Sequence, residues 1–213
     1  MATMSVISNT PHRIAVFCGA RAGARPEYIE LAREFGFALA RRGAGLVYGG
    51  GSVGVMGAVA EAAFSGGVSV TGVIPHKLFE RERPEVSRGE IFVVRTMHER
   101  KARMYKLSRG FAVLPGGIGT FDELMEVATW NQLGFHRKPI VLVNHGGFFD
   151  PLIGLLNNVV TEGFLSHEEL SCIAIAMTAD EALDQLGCAA TPIPTAESVL
   201  EEAPPAPQHI SAV

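Results

Sequence analysis

Residues 111–123 read FAVLPGGIGTFDE. An apolar run, a proline, three glycines, a threonine and two acids appear in the order that ends a buried strand, brings backbone close to a ligand and starts a helix. Gly116, Gly117 and Gly119 carry no side chain to block close approach, and glycine admits φ > 0 in such a turn. Free amides at a helix start, with the positive end of its dipole, make a site for phosphate. The same unit recurs upstream. RIAVFC at 13–18 passes through a glycine-containing turn into an amphipathic run over 26–42. GLVY at 45–48 passes through GGGSVG into an alanine-rich helix over 54–64. Further strands are expected at 69–74, 91–94, 139–143 and 173–176, with helices over 97–107, 120–133 and 150–160 and a short one after Thr178. Pro26 suits a first helical position, and Asp150-Pro151 reads as a helix cap. Short, continuously apolar strands alternating with helices predict an α/β protein, a doubly wound parallel sheet with helices on both faces. Ligands in such sheets sit beyond the carboxyl ends of the strands, where all three glycine turns can gather.

With 213 residues, 47% of them apolar and 19% charged, the chain is long enough for one well-packed domain. A net charge of −4 gives no general attraction for nucleic acid. Cys18, Cys172 and Cys188 are odd in number and lack metal-ligand spacing, which suits a reducing, cytoplasmic setting. No stretch is apolar enough for a membrane span, and no secretory signal is evident. The expected division is a flexible N-terminus over 1–12, a nucleotide-binding catalytic domain over 13–187 and a disordered Pro/Ala-rich tail over 188–213.

Gly49, Gly51 and Gly54 match the dinucleotide pattern G-x-G-x-x-G, but the next strand ends VIPH without the acid that would hold a ribose hydroxyl. Close packing or substrate contact is the better reading of that turn, including Gly50 and Gly51. Thr120 and Glu123 spell T-x-x-E, which as a local signal means a capping box. The alternative is chemical: Asp122, Glu123 and Glu126 in the first turns of a helix would be held ionised by its dipole, leaving Glu123 a base or charge stabiliser and not a general acid. In MHERKARM at 97–104, Met97, Arg100 or Lys101, and Met104 share a face. An arginine among apolar neighbours needs an anion, which the phosphate turn or Glu123 could supply. His98, His136, His145 and His167 form no ligand set, and Ser166 with Glu169 reads as a capping box. No metal or other cofactor is expected.

MHERKARM followed by LPGGIGTFDELMEV, with FCGARAG and YGGGSVGVMG before them, resembles the LOG (LONELY GUY) phosphoribohydrolases over roughly residues 13–187. The resemblance implies a Rossmann-like fold, a homodimer, and cleavage of the N-glycosidic bond of an adenosine 5′-monophosphate to free base and ribose 5-phosphate. It makes Arg100 and Glu123 the catalytic pair and gives the phosphate to Gly116, Gly117, Gly119 and Thr120, with Lys101 nearby. Met97, Gly50, Gly51 and Glu82 fall among its substrate contacts. Relatives often carry serine where Ala20 stands, so one hydroxyl contact is missing here. N-glycoside cleavage builds oxocarbenium character on the ribose. Glu123 could steady that charge, while Arg100 could orient the phosphate or Glu123, or assist departure of the base. An aglycone pocket of loop residues is expected, with Trp130, Asn131 and a second subunit as contributors.

The rival reading is a non-catalytic carrier of a nucleotide or of molybdenum cofactor on the same fold. A lysine decarboxylase would need a Schiff-base lysine with partners for pyridoxal phosphate, a context that Lys77, Lys101, Lys106 and Lys138 lack.

Overall fold

The architecture described here comes from a computed structural model and covers residues 12–82 and 89–188, with Arg81 and Glu82 described by backbone only. Except for His12 and Cys188, the expected flexible N-terminus and tail lie outside the described residues.

Seven strands alternate with helices: β1 (Arg13–Phe17), α1 (Glu27–Arg41), β2 (Gly45–Tyr48), α2 (Gly54–Ser65), β3 (Val70–Pro75), α3 (His76–Glu82), β4 (Glu90–Val94), α4 (Met97–Leu107), β5 (Gly110–Val113), α5 (Ile118–Gln132), β6 (Ile140–Val143), α6 (Asp150–Thr161), α7 (His167–Leu170), β7 (Ile173–Ala176) and α8 (Ala179–Gln185). All pairings are parallel, in the order β4-β3-β2-β1-β5-β6-β7. The chain winds outward from β1 in one direction, then returns to β5 on its other side. The β1–β5 seam is therefore the switch point where a crevice opens.

Two apolar layers flank the sheet, as the continuous strand runs require. Leu31, Phe35 and Leu39 of α1 pack with Val55 and Val59 of α2 and Leu183 of α8 on one face. Met104 of α4, Leu124 and Val127 of α5 and Phe149 cover the other. Gly36 lets α1 settle directly on α2, since a Cβ there would lie 2.6 Å from the Val59 carbonyl oxygen. Arg42 ties α1 to α8 through Asp180 and Asp184.

The expected strands and long helices are present, with boundaries shifted by one or two residues. Helix α3 is not among the expected elements, and α5 starts two residues before Thr120. Pro26 occupies the N-cap of α1, one position before the expected one. Asp150 is the first residue of α6 and caps nothing; its Oδ1 accepts from Asn144 Nδ2 at 2.7 Å. Ser166 and Glu169 do form the capping box that starts α7.

Candidate active site

The turns leaving β1 and β5 touch. The Gly19 amide donates to the Pro115 carbonyl at 3.1 Å, and a Cβ on Gly19 would come within 3.3 Å of Gly116 Cα. A cavity of about 660 Å³ opens above this contact, bounded by the two turns, the end of β2 at Gly49, the start of α4 and the first turns of α5. Its size falls within the usual range for small-molecule sites.

Helix α5 presents its N-terminus to this cavity. Gly117 is the N-cap, extended at φ −101°, ψ −158°, with no side-chain cap. Among the described residues, no carbonyl or side chain accepts from the amides of Gly116, Gly117, Ile118 or Gly119. Those orphan donors await an acceptor. A Cβ on Gly117 or Gly119 would meet no atom within 4 Å, so the space beside them is open. None of Gly116, Gly117 and Gly119 has positive φ. Absence of a side chain, not a left-handed backbone, is what these positions use. Thr120 and Glu123 do not form a capping box, because the helix begins earlier; both are buried.

Arg100 and Glu123 meet in the cavity wall. Thr96 caps α4 by accepting the Glu99 amide at 3.1 Å, which places Arg100 on the inner face one turn later. Arg100 Nε donates to the Val73 carbonyl at 3.1 Å, and Nη2 lies 3.5 Å from Glu123 Oε1. Gly49 makes this possible, since a Cβ there would overlap Arg100 Nη2. Burial pushes the Glu123 carboxyl up to about 7, with Arg100 pulling the other way and Asp122 adding to the rise. The expectation of a dipole-stabilised carboxylate is corrected here. The first turn of α5 holds no acid, and Glu123 lies beyond the dipole's short reach. Desolvation then outweighs the guanidinium, and the group exchanges a proton near neutral pH. Burial and the nearby Glu123 also push the Cys18 thiol far above its ordinary range.

The other expected contacts divide. Met97 and Ala20 line the cavity, as do Gly116, Gly117, Gly119 and Thr120. Lys101 turns away to Asp122 at 3.2 Å and Glu126 at 3.1 Å; burial would lower its pKa, but these two partners outweigh that and raise it. Gly50 and Gly51 lie buried behind the wall, Gly50 against Ile74 and the Gly51 amide 3.3 Å from Met56 Sδ. The side chain of Glu82 lies outside the described residues. Trp130 packs edge-on to Tyr105 and Asn131 donates to the Lys138 carbonyl, so neither lines the cavity. Tyr28, Phe148, Leu78 and Arg21 do line it, although sequence reasoning missed them. Their one shared signal is position: each lies on or soon after the segment leaving the carboxyl end of a strand.

The family model described as "possible lysine decarboxylase" matches residues 56–186. Cytokinin riboside 5′-monophosphate phosphoribohydrolase LOG of Oryza sativa subsp. japonica is 47% identical over 169 residues, which is 79% of this chain and 70% of that protein. Its Arabidopsis thaliana counterpart LOG2 is 45% identical over 174 residues, 82% of each chain. Among solved structures, the molybdenum cofactor binding protein of Rippkaea orientalis superposes with a TM-score of 0.64 at 21% identity, covering 84% of this chain and 98% of that one. The Moco carrier protein of Chlamydomonas reinhardtii gives 0.63 at 18% identity, covering 83% and 96%. At those identities the structural likeness speaks for the fold alone.

Proposed function

The chain belongs to the LOG family of cytokinin riboside 5′-monophosphate phosphoribohydrolases, and from that premise we propose that it hydrolyses the N-glycosidic bond of an adenosine 5′-monophosphate, plain or N6-substituted, to free base and ribose 5-phosphate. One observation carries the reading: the buried Arg100–Glu123 pair stands beside the uncapped amides of α5 in a single cavity. The 5′-phosphate docks on the amides of 116–119, with Thr120 at its side. That anchoring directs the anomeric carbon toward Glu123, so binding energy remote from the broken bond orients the reacting centre.

As the glycosidic bond lengthens, positive charge grows on the ribose; ionised Glu123 stabilises it and takes a proton from the attacking water, while the base leaves with the bonding electron pair and is protonated from solvent. Arg100 opposes the burial that would otherwise keep Glu123 protonated, and holds its carboxylate in place. A pyridoxal-dependent decarboxylase fits poorly. Lys101 is paired with two carboxylates, Lys138 donates to the Tyr105 and Ser108 carbonyls, and no lysine among the described residues lines the cavity.

The test is release of free base from AMP and from N6-substituted AMP. Glu123→Gln and Arg100→Ala should each lower kcat by about 10²-fold or more, the scale of a lost electrostatic stabiliser. Near-normal release of adenine by Glu123→Gln would end the assignment, and binding of AMP with no release by the wild type would favour a carrier. We also propose a homodimer, supported by the exposed Leu133 and Phe135 after α5, and checked by light scattering. A cytoplasmic location is supported by three free cysteines and by the lack, among the described residues, of any helix long and apolar enough to cross a membrane; cell fractionation checks it.

A further inference from the structure

We infer that Arg21 supplies the counter-charge for the substrate phosphate and sets this site's preference for phosphorylated over unphosphorylated nucleosides. The inference rests on the phosphoribohydrolase reading and names a residue of the FCGARAG turn to which the resemblance assigned no role.

Of the described residues lining the cavity, two are cationic, Arg21 and Arg100. Arg100 is buried and committed to the Val73 carbonyl and to Glu123. Arg21 is exposed at the rim, and no carboxylate among the described residues lies in ion-pair range of it. Its neighbour Arg25 is occupied, donating through Nε to the Tyr28 hydroxyl at 2.8 Å.

The backbone beneath Arg21 is held from two sides. Its carbonyl accepts the Val55 amide at 3.4 Å, and Gly54 packs against it so closely that a Cβ would lie 2.6 Å from the Arg21 nitrogen. Two residues earlier, Gly19 touches Gly116. The Arg21 side chain therefore springs from a fixed point next to the phosphate turn, well within the reach of an arginine.

Charge balance gives it something to do. A phosphate monoester carries nearly two negative charges at neutral pH, whereas a helix N-terminus offers about half a positive one. The same cavity is lined by Asp122 and Glu123, while Lys101, whose Nζ lies 3.2 Å from Asp122 Oδ2, is not part of its lining. A guanidinium with a planar fork of donors, free of any acid, is the group that offsets the remaining charge.

Kinetics with AMP on wild type, Arg21→Ala, Arg21→Lys and Arg21→Glu test this, with Arg33→Ala on the exposed side of α1 as control. Arg21→Ala should raise KM for AMP about tenfold with kcat within about twofold, and the inhibition constant of inorganic phosphate should weaken in parallel. Arg21→Lys should recover part of the loss, and Arg21→Glu should exceed it. Thermal midpoints should not move, because Arg21 is exposed. An unchanged KM in Arg21→Ala, a fall in kcat at unchanged KM, or an equal shift in Arg33→Ala would overturn the inference. If the wild type releases no base, the hydrolase reading fails by itself, and calorimetric titration of AMP into wild type and Arg21→Ala still decides: equal affinities reject Arg21.

Discussion

Two glycine-rich turns, GGGSVG at 49–54 and PGGIGT at 115–120, follow buried strands and open helices, yet the molecule uses them in opposite ways. At the start of α2 the donors are consumed internally. The Val55 amide bonds to the Arg21 carbonyl and the Met56 amide to the Gly19 carbonyl. Gly50 and Gly54 adopt φ of 79° and 66°, and both are pressed against neighbouring chain. At the start of α5 none of the described residues accepts from the amides of 116–119, and two of the glycines face open space. A glycine motif thus becomes a ligand site or a packing joint according to what stands opposite its N–H groups.

The contrast can be broken in four places. Gly54→Ala should have the largest effect, losing more than about 3 kcal/mol in chemical denaturation, because a left-handed backbone and a backbone clash coincide there. Next is a pH effect centred on Glu123. Its folded pKa of about 7 exceeds the ordinary 4.5, so the native state binds the proton more tightly than the unfolded chain. Its contribution is fully present below pH 4.5 and is lost as pH rises through about 7. The loss approaches about 3 kcal/mol. Denaturation at pH 5 and pH 8 should show this decline in wild type and not in Glu123→Gln. The same titration should give kcat/KM for AMP an acidic limb near pH 7, rising as Glu123 ionises.

Gly49→Ala should separate site from fold. The new methyl displaces the Arg100 guanidinium, a movable side-chain end, so kcat should fall about 10²-fold with little change in melting temperature. Gly119→Ala should be the smallest, changing stability by no more than about 1 kcal/mol while raising KM for AMP severalfold. An unchanged KM there would mean that the open side of this turn is not where phosphate sits.

Much of the architecture was legible in the chain because strand runs, turns and amphipathic helices are local patterns. The alternation predicted the parallel sheet, T-x-x-E at Thr178 marked a real N-cap for α8, and MHERKARM marked α4 to the residue. The residues alone left Arg100 or Lys101 open and read T-x-x-E as a cap; the resemblance to the LOG phosphoribohydrolases is what singled out Arg100 and Glu123. Other features depended on neighbours distant in sequence. T-x-x-E at Thr120 is the same local signal as at Thr178, yet it caps nothing, because α5 begins at Ile118. Lys101 beside Arg100 could have faced the cavity, but one residue is about a hundred degrees of helix, and Asp122 with Glu126 claims it.

The chain alone determined which segments become strands and helices, and that glycine-rich turns join them after residues 48 and 114, since backbone freedom and hydrophobic periodicity are carried residue by residue. Only the tertiary structure decided which helix start keeps its amides free, why Gly49 must lack a side chain, and that Glu123 titrates near neutrality. Each of those depends on desolvation and on groups brought together across the β1–β5 seam, where separation along the chain says nothing about distance in space.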